Sequence, residues 1–152
     1  MSSAKPTVVF VPGAWHIPAH YEPIMKRLRD SGYEVAAVRH PSCTVESDPG
    51  NMLQDDASFV ANTLRQVLSS GKDAVLVMHS YGGVSGPEGM AIVLEEQRSN
   101  PDPKAGHVKR LVFLAAHMLD KGVSFEEARG QIPNMDISEV SHHFIGALAP
   151  FS

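Results

Sequence analysis

Residues Asp73 to Gly83 read DAVLVMHSYGG. The run from Ala74 to Met78 is short, continuous and rich in Val and Leu, the pattern of a strand buried on both faces of a parallel sheet. It leads into His79-Ser80-Tyr81 and then Gly82-Gly83. Two successive glycines mark a sharp turn with something packed closely against it. A serine at the tip of such a strand-to-helix turn has its hydroxyl pushed out above the sheet. The peptide N–H that follows it points the same way. An exposed hydroxyl beside a positioned N–H donor is what nucleophilic acyl chemistry requires.

Three other stretches share the character of this strand. Thr7 to Val11, closed by Pro12-Gly13, is β-branched and aromatic; Glu34 to Val38 and Val108 to Ala115 are similar runs. Between them lie helical patterns. Ala19 to Ser31 carries Tyr21, Ile24, Met25 and Leu28 at helical spacing and ends at Gly32. Asn51 to Ser70 carries one apolar stripe through Leu53, Ala57, Val60, Ala61, Leu64, Val67 and Leu68. Asp55 and Asp56, in its early turns, read as a solvated acidic face that suits the helix dipole. After Tyr81 the spacing predicts a short turn, a break near Gly86-Pro87, and a helix from Glu88 to Arg98. Alternation of strand and helix predicts an α/β fold, a mainly parallel sheet with helices on both faces and right-handed crossovers. Residues 1–123 are expected to form this core of about four strands. Residues 124–152 are expected to be a partial cap-like or helical tail and not an independent domain.

The totals bound the rest. At 152 residues the chain is long enough for one domain with a real core, and 43% hydrophobic with 20% charged residues is ordinary for a soluble globular protein. A net charge of −4 argues against nucleic acid or an anionic membrane as partner. Cys43 is the only cysteine, so no internal disulfide forms, and a reducing, cytoplasmic compartment is expected. The apolar run near the amino terminus, about five residues, is too short for a signal peptide or a membrane span.

Residues 78 to 83, MHSYGG, resemble the nucleophile elbow of the α/β-hydrolases, whose pattern is Gly-x-Ser-x-Gly. Met78 stands where that family has a small residue, which implies either a wider turn or a side chain directed into the core. The loop PGAWH, Pro12 to His16, resembles the family's oxyanion loop, with Pro12 in place of its usual histidine. The likeness is greatest to the small esterase and hydroxynitrile-lyase-like branch and extends from residue 7 to about residue 130. It implies a strand order of 2-1-3-4 and a crevice between the first and third strands, where open α/β sheets bind ligands. It further implies Ser80 as nucleophile and the N–H groups of Ala14 and Tyr81 as oxyanion donors. Gly13, Trp15, His16, His79, His117 and Met118 would then surround a small, partly hydrophobic carbonyl substrate.

The same resemblance places the triad's acid and histidine after strands that this chain ends before. It is therefore expected to be a C-terminally truncated form. Asp120, after the fourth strand, and His142 or His143, late in the chain, keep the order Ser, Asp, His and are the candidate acid and base. The fourth strand is expected to be a bare edge that invites a second chain, giving a homodimer whose partner could supply the base. Pro18 between His16 and His20 spoils a helical metal pair, so no metal is expected. No cofactor is expected either, because no Gly-x-Gly-x-x-Gly follows a strand. The expected function is a serine hydrolase acting on an ester, lactone or related small carbonyl compound. The alternative is an incomplete triad serving a lyase, cyclase or isomerase, or a small-molecule binder; a third reading is a truncated product with a structural or regulatory role.

Overall fold

The computed structural model describes residues 5–43, 51–124 and 127–128. Four strands form one sheet: β1 (Thr7–Val11), β2 (Val35–Ala37), β3 (Ala74–His79) and β4 (Val108–Leu114). Their order is β2-β1-β3-β4, and every neighbouring pair is parallel. Three α-helices connect them: α1 (Glu22–Asp30), α2 (Met52–Ser69) and α3 (Gly82–Ser99). The order expected from the sequence is the order observed.

Register decides which side chains meet which helices. Val9, Val11, Leu76 and Met78 lie with Leu111 and Phe113 on one face, under the apolar stripe of α2 and the buried side of α3. This is the main core, with Val60, Leu64, Leu68, Met90 and Val93 closing it from the helical side. Burying such side chains contributes about 1.5–3 kcal/mol each, which is why the α2 stripe and not intrinsic propensity holds that helix. Val8 and Phe10 point to the other face, where the Phe10 ring lies 4.7 Å from that of Tyr21, just ahead of α1. On that second face Val112 and Leu114 of the edge strand β4 are about two-fifths exposed, at 41% and 42%.

Two boundaries differ from the sequence reading. The first helix does not start at Ala19. A 3-10 turn covers Pro18–Tyr21 and α1 begins at Glu22. Pro23 is the reason: in an α-helix that began earlier it would lack the N–H and press its ring on the Ala19 carbonyl, whereas in the first turn it loses nothing. The second difference is α3, which runs unbroken from Gly82 to Ser99 with Pro87 inside it. An interior proline costs about 3 kcal/mol. Val84, Met90 and Val93, all buried, outweigh that cost on the face turned to the core.

Met78 shows how a large residue fits where the turn needs closeness. Its side chain is directed into the core and fully buried. A Cβ on Gly86 would stand 2.6 Å from the Met78 sulfur and 2.9 Å from its Cγ, so the space that Met78 takes is vacated on α3. Gly86→Ala is therefore expected to cost about 1–3 kcal/mol from overpacking. In the Met78→Ala background the same change is expected to cost about 1 kcal/mol less, because neighbours in contact couple. Urea unfolding of the four proteins in that cycle checks it; additive effects would mean that the two side chains do not share the space.

Candidate active site

The carboxyl ends of β1, β3 and β4 are where the backbone is strained. Among the described residues the non-glycine positions with positive φ are Trp15 (59°), Ser80 (50°) and Ala115 (44°). Each follows one of those three adjacent strands. Such conformations cost on the order of 1–3 kcal/mol and persist only where the surroundings over-determine them. At Ser80 the surroundings are visible. Its carbonyl accepts from Gly83 N–H at 3.0 Å and from His117 N–H at 3.2 Å. The helix that follows, α3, starts at once with Gly82.

The loop after β1 comes to the same place. A Cβ on Gly13 would lie 3.1 Å from Ser80 Cβ and 2.9 Å from His79 Nδ1, so the two loops are in contact there. Tyr21 fastens them together. Its hydroxyl accepts from Gly13 N–H at 3.0 Å and lies 2.7 Å from His79 Nδ1. A phenol that already accepts from a peptide is completed by donating, which puts the His79 proton on Nε2. Burial, and then the neighbouring His16, hold His79 below the usual imidazole range. Burial pushes the Tyr21 hydroxyl up. No described group accepts from the N–H of Ala14 or of Tyr81.

His16 sits on this cluster, its ring 5.6 Å from that of His79 and 5.7 Å from that of Tyr21. Its Nδ1 is 2.7 Å from the carbonyl oxygen of Ala14, so Nδ1 carries the proton and the Nε2 lone pair is left for another partner. Trp15 and Met118 are largely exposed, at 81% and 74%. The loop after β4 reaches the elbow through the main chain of His117, and Leu119 packs with Tyr81, Val84 and Leu53. Asp120 is exposed. His142 and His143 lie outside the described residues. The hydrogen bonds of the His16, His40 and His79 rings go to Ala14, Ser85 and Tyr21, not to Ser80 Oγ. Cys43 is half-buried, its thiol 3.5 Å from the His16 carbonyl oxygen.

Beneath the elbow lies a polar group that the sequence reading placed elsewhere. Asp56 is not on a solvated face; it is fully buried. It accepts from Ser42 N–H at 3.0 Å, from the Ser42 hydroxyl at 2.7 Å and from the Tyr81 hydroxyl at 2.9 Å. Its position foretells this: Asp56 falls three residues after Leu53 and four before Val60, on the apolar stripe itself. Beside it His40 is also fully buried, its Nε2 3.0 Å from Ser85 Oγ, its Nδ1 without a described partner and its ring 5.5 Å from that of Tyr81. Burial holds His40 below the usual imidazole range, with the charge of Asp56 working against it. Burial first and Asp56 second push the Tyr81 hydroxyl far up, so it remains a phenol.

Neutral His40 sets a direction for acid stability. Its folded pKa lies below the unfolded value of about 6.5, so the unfolded chain binds the proton more readily. The stability is fully present above that value and is lost as pH falls below it. The urea midpoint is expected to be lower at about pH 5.5 than at about pH 7.5, and the drop to be smaller in His40→Gln. An equal drop in both proteins would remove His40 from the cause.

The chain as a whole is similar to known proteins. Residues 8–149 match the model of the Alpha/beta hydrolase family. The chain is 32% identical over 136 residues to the alpha/beta hydrolase nvfD of Aspergillus novofumigatus (strain IBT 16806), covering 90% of this chain and 52% of that protein. It is 28% identical over 127 residues to the probable hydrolase R7 of Phoma sp. (strain ATCC 20986 / MF5453), covering 83% and 48%. It thus spans about half the length of these relatives. An extracellular α/β-hydrolase from a Paenibacillus species has a similar fold, with a TM-score of 0.59 at 22% identity over 79% of this chain and 44% of that one. So does tomato methylketone synthase I, solved with 2-tridecanone, with a TM-score of 0.55 at 19% identity over 87% and 50%. With its four-stranded parallel core and its elbow at Ser80, the chain belongs to the alpha/beta hydrolase family.

Proposed function

We propose that this chain carries the nucleophile and oxyanion half of a serine hydrolase acting on a small ester, lactone or related carbonyl compound. Ser80 attacks the carbonyl carbon. The N–H groups of Ala14 and Tyr81 hold the oxygen as it becomes negative. Fixed donors of this kind, aimed at charge that develops in the transition state, are worth about 2.7–4 kcal/mol each. The observation that carries the reading is the contact of the two loops: Gly13 against Ser80, with Ser80 held at φ 50°. A serine hydroxyl needs a base, and an imidazole from His142 or His143, of this chain or of a second copy, takes its proton. The hydrolase names of the two relatives agree with this chemistry.

A second reading has its own observation. His16, with its proton fixed on Nδ1 by the Ala14 carbonyl, leaves an acceptor nitrogen beside the elbow. In that reading Ser80 only donates a hydrogen bond and the crevice serves a lyase, cyclase or isomerase. Intact mass after treatment with a fluorophosphonate separates the two. The hydrolase reading expects one adduct on the wild type, and slower labelling, by about a hundredfold, in whichever of His142→Ala and His143→Ala removes the base. An adduct formed at the wild-type rate in both variants and in the double variant sinks the base assignment. No adduct on folded wild type sinks the hydrolase reading in favour of the second.

A further inference from the structure

Tyr81 is asked to do something unusual. It is the first residue after a strained serine, and its own N–H is the proposed oxyanion donor. Its side chain packs with Leu53, Val84 and Leu119. An aromatic ring in an apolar pocket would slide and rotate within it. The hydroxyl stops that, because it ends on Asp56 at 2.9 Å. Asp56 in turn is fixed by two further bonds, from the N–H and the hydroxyl of Ser42. A carboxyl group is not buried completely in a core stripe for stability alone. A hydrophobic residue of similar volume commonly serves there as well or better. What a fully bonded buried polar group adds is a single allowed arrangement.

We propose that Asp56 is a positioning residue for the oxyanion hole: through the Tyr81 hydroxyl it fixes the Ser80–Tyr81 peptide so that its N–H faces the crevice. The assignment rests on the reading of Ser80 as a nucleophile. Main-chain bonds and the side-chain bond then bracket that peptide. Gly83 N–H and His117 N–H hold the Ser80 carbonyl from one side, and Asp56 holds the Tyr81 ring from below. Remove the last and the Tyr81 carbonyl is still held by Val84 and Ser85 N–H, but the ring loses its anchor and the peptide ahead of it can shift by a fraction of an ångström to about 1 Å. Misplacement by about 1 Å of a group that acts on the transition state costs on the order of a hundredfold in rate. Substrate affinity, which the donor does not set, should stay.

The experiment uses the full chain with a p-nitrophenyl ester and with the fluorophosphonate probe. Tyr81→Phe deletes only the hydroxyl, and Asp56→Asn keeps an oxygen that can accept from it. Expected are a fall in kcat of about tenfold to a hundredfold in Tyr81→Phe with KM within about twofold, a parallel fall in the labelling rate, and a smaller fall in Asp56→Asn. Val93→Ala, a core change in the middle of α3, controls for lost stability and should leave both rates in place. If Tyr81→Phe melts lower but reacts at the wild-type rate, Asp56 is only structural and the assignment is overturned, while the hydrolase reading stands. If KM rises and kcat does not fall, the tether shapes the binding pocket and the assignment is likewise overturned. If folded wild type neither turns over the ester nor takes the probe, the hydrolase reading falls and this role falls with it.

Discussion

Ser80→Ala is expected to take no fluorophosphonate at all and to lose ester hydrolysis by at least about a thousandfold, since removal of a nucleophile leaves only what the oxyanion donors and binding supply. The fold should be untouched by that change, because the alanine keeps the same Cβ and the same main-chain bonds to Gly83 and His117. Ser80→Gly is expected to be equally inactive but more stable than Ser80→Ala by about 1 kcal/mol. At φ 50° a Cβ is crowded against the backbone, and glycine has none. Intact mass and urea unfolding of the three proteins give both results. A probe adduct that persists in Ser80→Ala would move the nucleophile elsewhere. Equal stability of the alanine and glycine variants would mean that the elbow stores no strain.

Gly82→Ala is expected to be strongly damaging at the elbow itself. The added Cβ would stand 2.5 Å from the Val11 carbonyl oxygen and 2.8 Å from that of Pro12. Both are main-chain atoms at the end of β1, so no side chain can swing aside. Either α3 lifts from the sheet or β1 parts from β3. A loss of more than about 3 kcal/mol follows, a large share of the stability of a single domain. Whatever folds carries a displaced Ala14, so probe labelling should fall by more than the fraction unfolded. Thermal unfolding with labelling of the folded fraction tests this. A melting temperature within about 2 °C of wild type would show that the elbow is looser than its contacts imply.

Much of this was legible in the residues. The four strands announce themselves as Val- and Leu-rich runs between Gly and Pro, and the elbow follows from one of them. The departures have physical causes that one-dimensional reading underweights. Pro87 reads as a break, yet a proline is judged against the packing of its whole helix, and α3 is packed along one side from Val84 to Val93. Pro23 sets a helix start that apolar spacing alone put three residues early. A carboxylate such as Asp56 reads as surface by residue type, whereas its place on the α2 stripe puts it in the core. His40 is buried with a partner, Ser85, that arrives beside it from forty-five residues away. What sequence periodicity reports is direction within an element; whether a polar group so directed finds partners is decided by other elements.

The sheet order also governs how the molecule must be made. β1 lies between β2 and β3, so an interior strand of the sheet is made before its β3 neighbour. Its pairing with β3 joins Thr7 to Ala74, 67 residues further on (74 − 7). At about 5–20 residues per second on a ribosome, β1 waits several seconds with the three-residue β2 as its strand partner. During that time Val9 and Val11, fully buried in the finished sheet, lack the cover that β3 and α3 complete. Such non-local closure is slow in refolding as well. Yield during expression should therefore respond to temperature and to holding chaperones well before it responds to any change at Ser80.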